Sequence, residues 1–326
     1  MVKKGYKQTE VGVLPEDWAI KKLINLSDGG MQNGTFYEGS RKGTGVYFLN
    51  VGNLYQAAPI IPQTLGKFDA SKDEIDRFRV KNGDLFFTRS SIVPSGIAYC
   101  NWYKDSGDNT TVFDSHVVRF KTDTDQVNPM YLYLQCVSQE SRKYFISNAK
   151  VATMTTIDQT QIGNCLIPVP SLTEQKNIAE AISDADRIIC LLEKLIIKKK
   201  TIKQGMMQEL LTGKRRLPGF SGKWQNFNLM KHSKIKARIG WQGLKKSEYL
   251  DSGYALLVTG TDFDDGKVQW DRCHYVTRSR YDQDRNIQIQ NNDILITKDG
   301  SLGKVALARG LTKPATLNLS LIHISE

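Results

Sequence analysis

From Glu174 to Leu211 apolar residues recur in alternating steps of four and three, at Ile178, Ile182, Ala185, Ile189, Leu192 and Ile196. Ile188, Leu195, Ile202, Met206 and Leu210 widen the stripe, and Lys199 and Lys203 interrupt it late. Such a heptad seam predicts one helix of roughly 57 Å at about 1.5 Å per residue. That is longer than a helix covering a single globular core needs to be. Ser171 followed three residues later by Glu174 reads as a capping box at its start, and Pro168 and Pro170 keep the lead-in Ile167-Pro-Val-Pro170 extended. Gly205 inside the helix costs about 1 kcal/mol relative to Ala, and Gly213 with Pro218 ends it. Periodicity alone leaves two readings: an amphipathic connector between domains, or a coiled coil whose length has a task and whose seam wants a partner helix.

On either side of this helix the pattern shortens to β-branched and aromatic runs separated by Gly, Asn, Asp and Pro, which predicts strand-rich domains. The runs repeat. Leu14-Pro15 and Trp18 correspond to Leu217-Pro218 and Trp224, and Tyr47–Gly52 to Ala255–Gly260. Val80-Lys-Asn-Gly-Asp-Leu-Phe-Phe-Thr-Arg89 corresponds to Ile289-Gln-Asn-Asn-Asp-Ile-Leu-Ile-Thr-Lys298, each followed by a Gly/Ser loop and a short apolar strand, Gly96–Tyr99 and Gly303–Ala306. From the Trp onward the shift stays between 206 and 209 residues, the mark of a duplicated unit. A helix is expected over Met130–Asn148, opened by Asn128-Pro129. The second copy stops before its own Pro-rich entry and long helix, so it reads as incomplete. The closing Leu317–Glu326 does not continue the first copy's pattern, resembles read-through into vector sequence and is given no function.

Composition narrows the classes. A chain of 326 residues suffices for two domains with cores of their own. Neither a leader at Met1–Glu10 nor an apolar run long enough to span a bilayer is legible, so a cytoplasmic protein is expected. Cys100, Cys136, Cys165, Cys190 and Cys273 are odd in number and lack CxxC spacing, as expected of free thiols in a reducing compartment. The formal charge is +11. Residues 1–170 hold 19 basic and 17 acidic side chains, residues 171–216 hold 10 and 6, and residues 217–326 hold 16 and 11. The surplus thus sits on the helix and beyond it, densest at Lys198–Lys200, Lys203 and Lys214–Arg216. Such runs are either a solvated face or the footprint of a polyanion.

Catalytic chemistry finds little support. Asn128-Pro-Met-Tyr131 departs from the N-P-P-Y of amino-methyltransferases and has no Gly-rich cofactor loop before it, so it reads as a helix start. Gly300-Ser-Leu-Gly-Lys304 lacks phosphate-loop spacing and reads as a tight turn. His116, His232, His274 and His323 have no second ligand at metal spacing. Asp84 and Asp293, each beside a turn at the start of a strand, are expected to satisfy local amides. No catalytic residue and no metal site is assigned.

The duplicated N-G-D-hydrophobic-x-x-T-basic strand (Asn82-Gly-Asp84, Thr88-Arg89), the Ile167-Pro-Val-Pro170 entry, Glu174-Gln175 with Ile178-Ala179, and the Leu210-Leu211-Thr-Gly213 helix end together resemble the specificity subunit of type I restriction-modification systems. The resemblance implies an α+β fold. Residues 1–170 would form a first target-recognition domain, 171–216 a spacer and docking helix, and 217–326 a second, truncated target-recognition domain. It also implies that each globular copy reads one half of a split DNA site, and that two long helices pack antiparallel as a spacer which docks the methyltransferase subunits. Catalysis would belong to partners: an adenine methyltransferase that binds S-adenosylmethionine, and a restriction subunit. A rigid spacer sets half-site separation, and one helical turn, about 5.4 Å, is worth about one and a half base pairs at about 3.4 Å each.

Double-stranded DNA then calls for donors and cations on loops that reach a groove. The candidates are Arg41, Lys42, Arg89, Ser90, Ser91, Lys150, Thr153, Thr155 and Gln159 in the first copy, and Lys245, Lys246, Lys298, Asp299 and Ser301 in the second. The partner-binding face of the helix is expected at Glu174, Gln175, Ile178, Ile182, Ala185, Ile189, Leu192 and Ile196. With no second long helix in the sequence, that seam predicts self-association or dependence on a methyltransferase subunit. A helix-driven scaffold protein and a non-functional fragment are the competing readings.

Overall fold

The computed structural model describes residues 3–325, apart from the Trp241 side chain. It divides into two compact units, Met1–Met206 and Met207–Glu326, the division falling inside the long helix.

The first unit is built on a four-stranded sheet in the order β4 (Ser27–Asn33), β11 (Val117–Thr122), β7 (Leu85–Thr88), β9 (Cys100–Trp102), all antiparallel. β7 reads as an unbroken apolar run because both its faces are covered. Leu85 and Phe87 join the core with Val118, Phe120, Tyr131 and Phe145, while Phe86 turns to the opposite core with Leu49, Phe113 and Val117. A second sheet sets β5 (Lys42–Leu49) between β6 (Gly66–Phe68) and the parallel β10 (Thr111–Phe113). The short α1 (Val51–Leu54) is capped by Asn50, whose Oδ1 accepts from Gly52 N at 2.8 Å. Ser71 caps α2 (Lys72–Phe78). A hairpin of β1 (Tyr6–Thr9) and β2 (Gly12–Pro15) precedes β3 (Ala19–Lys22), which pairs with β14 (Leu166–Val169). A small ribbon joins β8 (Ser90–Ser91), β13 (Thr155–Thr156) and β12 (Lys150–Val151).

Two expectations need correction here. The stretch 130–148 is two helices, α3 (Pro129–Val137) and α4 (Gln139–Ser147), because Ser138 takes an extended conformation and caps the second one. Asn128 does cap the first, accepting from Tyr131 N at 3.0 Å. The apolar run Gly96–Tyr99 is not a strand: Ala98 has φ of 45°, and the strand starts at Cys100.

After the five-residue α5 (Gln159–Gly163), α6 runs unbroken from Leu172 to Leu211. Its first turns are fixed to the first unit. Gln175 is fully buried, accepting from Asn128 N at 2.8 Å and donating to Pro170 O at 2.9 Å, and Ala179 and Ile178 pack on the core.

The second unit repeats the plan. A six-stranded sheet runs β15 (Lys234–Ala237), β23 (Leu321–Ser325), β20 (Ile294–Thr297), β21 (Val305–Leu307), β18 (Lys267–Val268), β17 (Phe263–Asp264). Beside it β16 (Ala255–Val258) lies between β19 (His274–Val276) and the parallel β22 (Ala315–Leu317). The registers coincide: Thr88 pairs with Val117 as Thr297 pairs with Leu321. Against the expectation for Leu317–Glu326, Leu321–Ser325 holds the sheet position that Val117–Thr122 holds in the first unit.

Candidate nucleic-acid interface

The repeated strand motif has a local physical purpose. At its start Asp84 Oδ2 accepts from Lys81 N at 2.8 Å, and Asp293 Oδ2 from Gln290 N at 2.6 Å. Both carboxylates thus close the turn into the strand, as expected. Burial pushes the Asp84 carboxyl up to about 6 although Arg119 Nε faces it at 3.8 Å, and burial lowers the Arg119 guanidinium as well. At the far end Thr88 Oγ1 donates to Gly96 O at 2.7 Å and accepts from Tyr99 N at 2.9 Å. Thr297 Oγ1 likewise donates to Ser301 O and accepts from Lys304 N at 2.9 Å. Each threonine therefore closes the base of the loop that follows it, and each loop begins with a basic residue, Arg89 or Lys298. Gly300 and Gly303, with φ of 73° and 77°, make Gly300–Lys304 a tight turn.

In the first unit the ribbon gathers residues far apart in sequence. Thr156 pairs with both Ser90 and Lys150, and Ile157 N donates to Arg89 O at 3.1 Å. The result is a cleft of about 310 Å³ whose walls include Asn33, Arg89, Lys150, Asp158, Gln159 and Gln161. Gln159 Nε2 donates to Asn33 Oδ1 at 3.0 Å. That bond leaves the Asn33 amide nitrogen and the Gln159 oxygen with bonding capacity beside two cations, a set able to hold a phosphate and read a base edge. Of the expected residues, Arg89, Lys150 and Gln159 meet here, Ser90 and Ser91 form the adjoining strand, and Thr153 is exposed in the ribbon's turn.

Others do not join them. Thr155 is buried, because its register opposite Ser91 turns it inward. Arg41 is held elsewhere: its guanidinium pairs with Glu74, donates to Asp69 O at 2.8 Å through Nε and lies over the Phe68 ring at 4.5 Å. This bond draws the Glu74 carboxyl down to about 2. Arg41 is thus a structural residue, and its exposed neighbour Lys42 stands apart from the cleft.

Asn33 and Gln161 were not singled out from sequence. Asn33 ends the Gly-rich strand β4, and nothing local marks it, since its partner lies 126 residues away.

In the second unit Asp299, Ser301 and Lys304 line a hydroxyl-rich hollow of about 500 Å³ with Thr261 and Ser320. Lys298 is half-buried at its edge, and Lys245 and Lys246 are exposed on a separate turn. A further groove of about 370 Å³ carries Lys234, Lys236, Arg285, Asn286, Gln288 and Asn291. The Lys-Ile-Lys alternation of β15 was its one legible sign.

Along α6 the apolar seam emerges beyond the docked turns. Ile182, Ile188, Ile189, Leu192, Leu195, Ile196, Ile202, Met206 and Leu211 are exposed. Gln175 and Ile178 are corrected from partner contacts to anchors, for they are spent on the unit that carries the helix. No helix among the described residues is long and apolar enough to cross a membrane.

The family model described as the type I restriction modification DNA specificity domain matches residues 15–201. The chain is 24% identical over 315 residues to the putative type I restriction enzyme MjaX specificity subunit of Methanocaldococcus jannaschii, covering 94% of this chain and 72% of that one. To the MjaVIII specificity subunit of the same organism it is 26% identical over 223 residues, 66% of this chain and 50% of the relative. In fold it is similar to a chain solved in work on complex assembly and conformational transition of the type I R-M system, with a TM-score of 0.58, 15% identity, and coverage of 96% of this chain and 76% of that chain. It is also similar to the HsdS subunit from Thermoanaerobacter tengcongensis, with a TM-score of 0.53, 15% identity, and coverage of 100% and 78%.

Proposed function

Because the chain belongs to the type I restriction-modification DNA specificity family, and its work is accordingly recognition rather than catalysis, we propose that its two units read duplex DNA through the loops that follow β7 and β20. The observation that carries this reading is the duplication of one device: a strand fixed by Asp at its start and Thr at its end, presenting a loop that opens with Arg89 or Lys298. In the first unit Arg89 and Lys150 hold backbone phosphate while Asn33 and Gln159 face a base edge. In the second, Lys304 and Ser301 take the equivalent work, with Lys298, Lys245 and Lys246 as outlying cations.

Partners follow from α6. Its exposed seam is covered, in this reading, by a second long helix packed antiparallel. Charge supports that direction, since Glu180, Asp184 and Asp186 lie toward one end of the helix and Lys198–Lys200 toward the other. The covering helix comes from a second copy, and the paired helices dock methyltransferase subunits, which bind S-adenosylmethionine and modify adenine, together with a restriction subunit. A cytoplasmic location is part of the same proposal.

Duplex titration over a range of salt tests it. The affinity should fall with slope about −0.9 per phosphate neutralised, and Arg89→Ala with Lys150→Ala should lower that slope by about one per lost contact. Retained binding with an unchanged slope would count against the assignment of this cleft. Absence of duplex binding, with salt-independent association through α6, would favour a helix-driven scaffold.

A further inference from the structure

Beside the cleft the first unit carries an apolar tip. Thr155 pairs with Ser91, and the turn 152–154 closes the β12–β13 hairpin, so Ile92 leaves β8 at the same end of the ribbon as Met154. Ile92 is 85% exposed, Val151 71%, Val93 54% and Met154 45%. From Ser90 to Ile92 the strand advances two residues, about 7 Å, so the tip stands a short step from Arg89 and Lys150. Single exposed aliphatics are ordinary; four at one end of a ribbon, flanked by cations, are not. Among the described residues the second unit has no such ribbon, but its corresponding loop also sets a basic residue beside an apolar apex. Lys298 follows Thr297 as Arg89 follows Thr88, and Leu302, 73% exposed, stands at the apex of the Gly300–Lys304 turn.

Cations beside an apolar apex match a surface with phosphates at its margins and isolated apolar groups between them. In the major groove of DNA, which admits a β-ribbon, the apolar group on a base edge is the thymine C5-methyl. We propose that Ile92 with Met154 in the first unit, and Leu302 in the second, are specificity-determining residues that pack on thymine methyl groups while the neighbouring cations hold phosphate. This rests on the DNA-recognition reading above. It assigns each unit a preference for an A·T pair that needs no hydrogen bond.

Two pools of randomised duplex, one made with thymine and one with uracil, are selected on the full chain. Uracil pairs with adenine as thymine does and lacks only the methyl. The thymine pool should yield a motif with fixed A·T positions that fade in the uracil pool. A selected duplex remade with uracil at such a position should bind about fourfold more weakly per methyl lost. Ile92→Ser should abolish both the preference and the uracil effect at one position, Ile92→Leu should keep them, and Leu302→Ser should act at another position. Identical motifs from the two pools, unchanged by Ile92→Ser in a variant that melts like the parent, overturn the inference and leave DNA recognition standing. So does an Ile92→Ser chain that keeps its motif but no longer co-purifies with a methyltransferase subunit. If the parent chain selects no motif from either pool, DNA recognition itself fails and this inference falls with it.

Discussion

Thr88 and Thr297 show how one hydroxyl can define a loop. Thr88 is fully buried, donating to Gly96 O and accepting from Tyr99 N. Thr88→Val keeps the volume and removes both bonds, leaving the partly buried Tyr99 amide unsatisfied at a cost of about 1 kcal/mol. Amide hydrogen exchange should then quicken across residues 89–99, and across 298–304 in Thr297→Val; unchanged exchange would mean that the loop is fixed by something else. The Arg41–Glu74 pair makes a prediction in pH. The folded Glu74 carboxyl is drawn down to about 2, chiefly by the bond from Arg41, against an ordinary value of 4.5. A carboxyl with a lowered folded pKa contributes stability that is present above its unfolded pKa and lost as pH falls through the folded one. The melting temperature of the first unit should therefore decline between about pH 4.5 and 2, and Glu74→Gln should flatten that decline. The two cases differ in how far sequence reveals them. Asp84 and Thr88 bond to backbone within a dozen residues, so their spacing survives as a readable motif. Arg41 finds Glu74 across 33 residues, and nothing near Arg41 announces that its charge is already engaged.

At the scale of elements, the long helix was legible from its heptads, including its end at Leu211. The division of its face was not. Gln175 looks like a surface residue of a first turn, yet besides its local bond to Pro170 O it accepts from Asn128 N, in a segment 47 residues away that only the fold brings alongside. The single helix expected over 130–148 failed for a related reason: Ser138 competes for the backbone as a cap, which a periodicity count does not register. Thr155 was misread because its inward direction depends on register with Ser91, 64 residues earlier. Beyond the anchored turns the seam should govern association. Leu192→Asp together with Leu195→Asp places charge on the exposed stripe without touching either core. Sedimentation should show the parent chain associated and the double variant monomeric. A parent chain that stays monomeric at micromolar concentration would remove the self-pairing proposal and leave the docking one.

For the molecule as a whole, the charge of +11 proved less informative than where it falls. Residues 1–170 are nearly neutral in sum, yet Arg89 and Lys150 meet at one cleft because a three-stranded ribbon draws residues 89–91 and 150–156 together. The duplication was legible from spacing, and the coincident registers of β7 with β11 and of β20 with β23 give it a structural cause. The threonine closure has one more implication. Its acceptors and donors in the two loops are backbone groups, Gly96 O and Tyr99 N in one, Ser301 O and Lys304 N in the other. A clasp that grips only main chain is indifferent to the side chains it encloses. Segments 89–95 and 298–302, apart from the positive-φ Gly300, could then be rewritten, or traded for foreign ones, while the sheets beneath stay as they are, so new reading preferences can arise without the scaffold being reinvented.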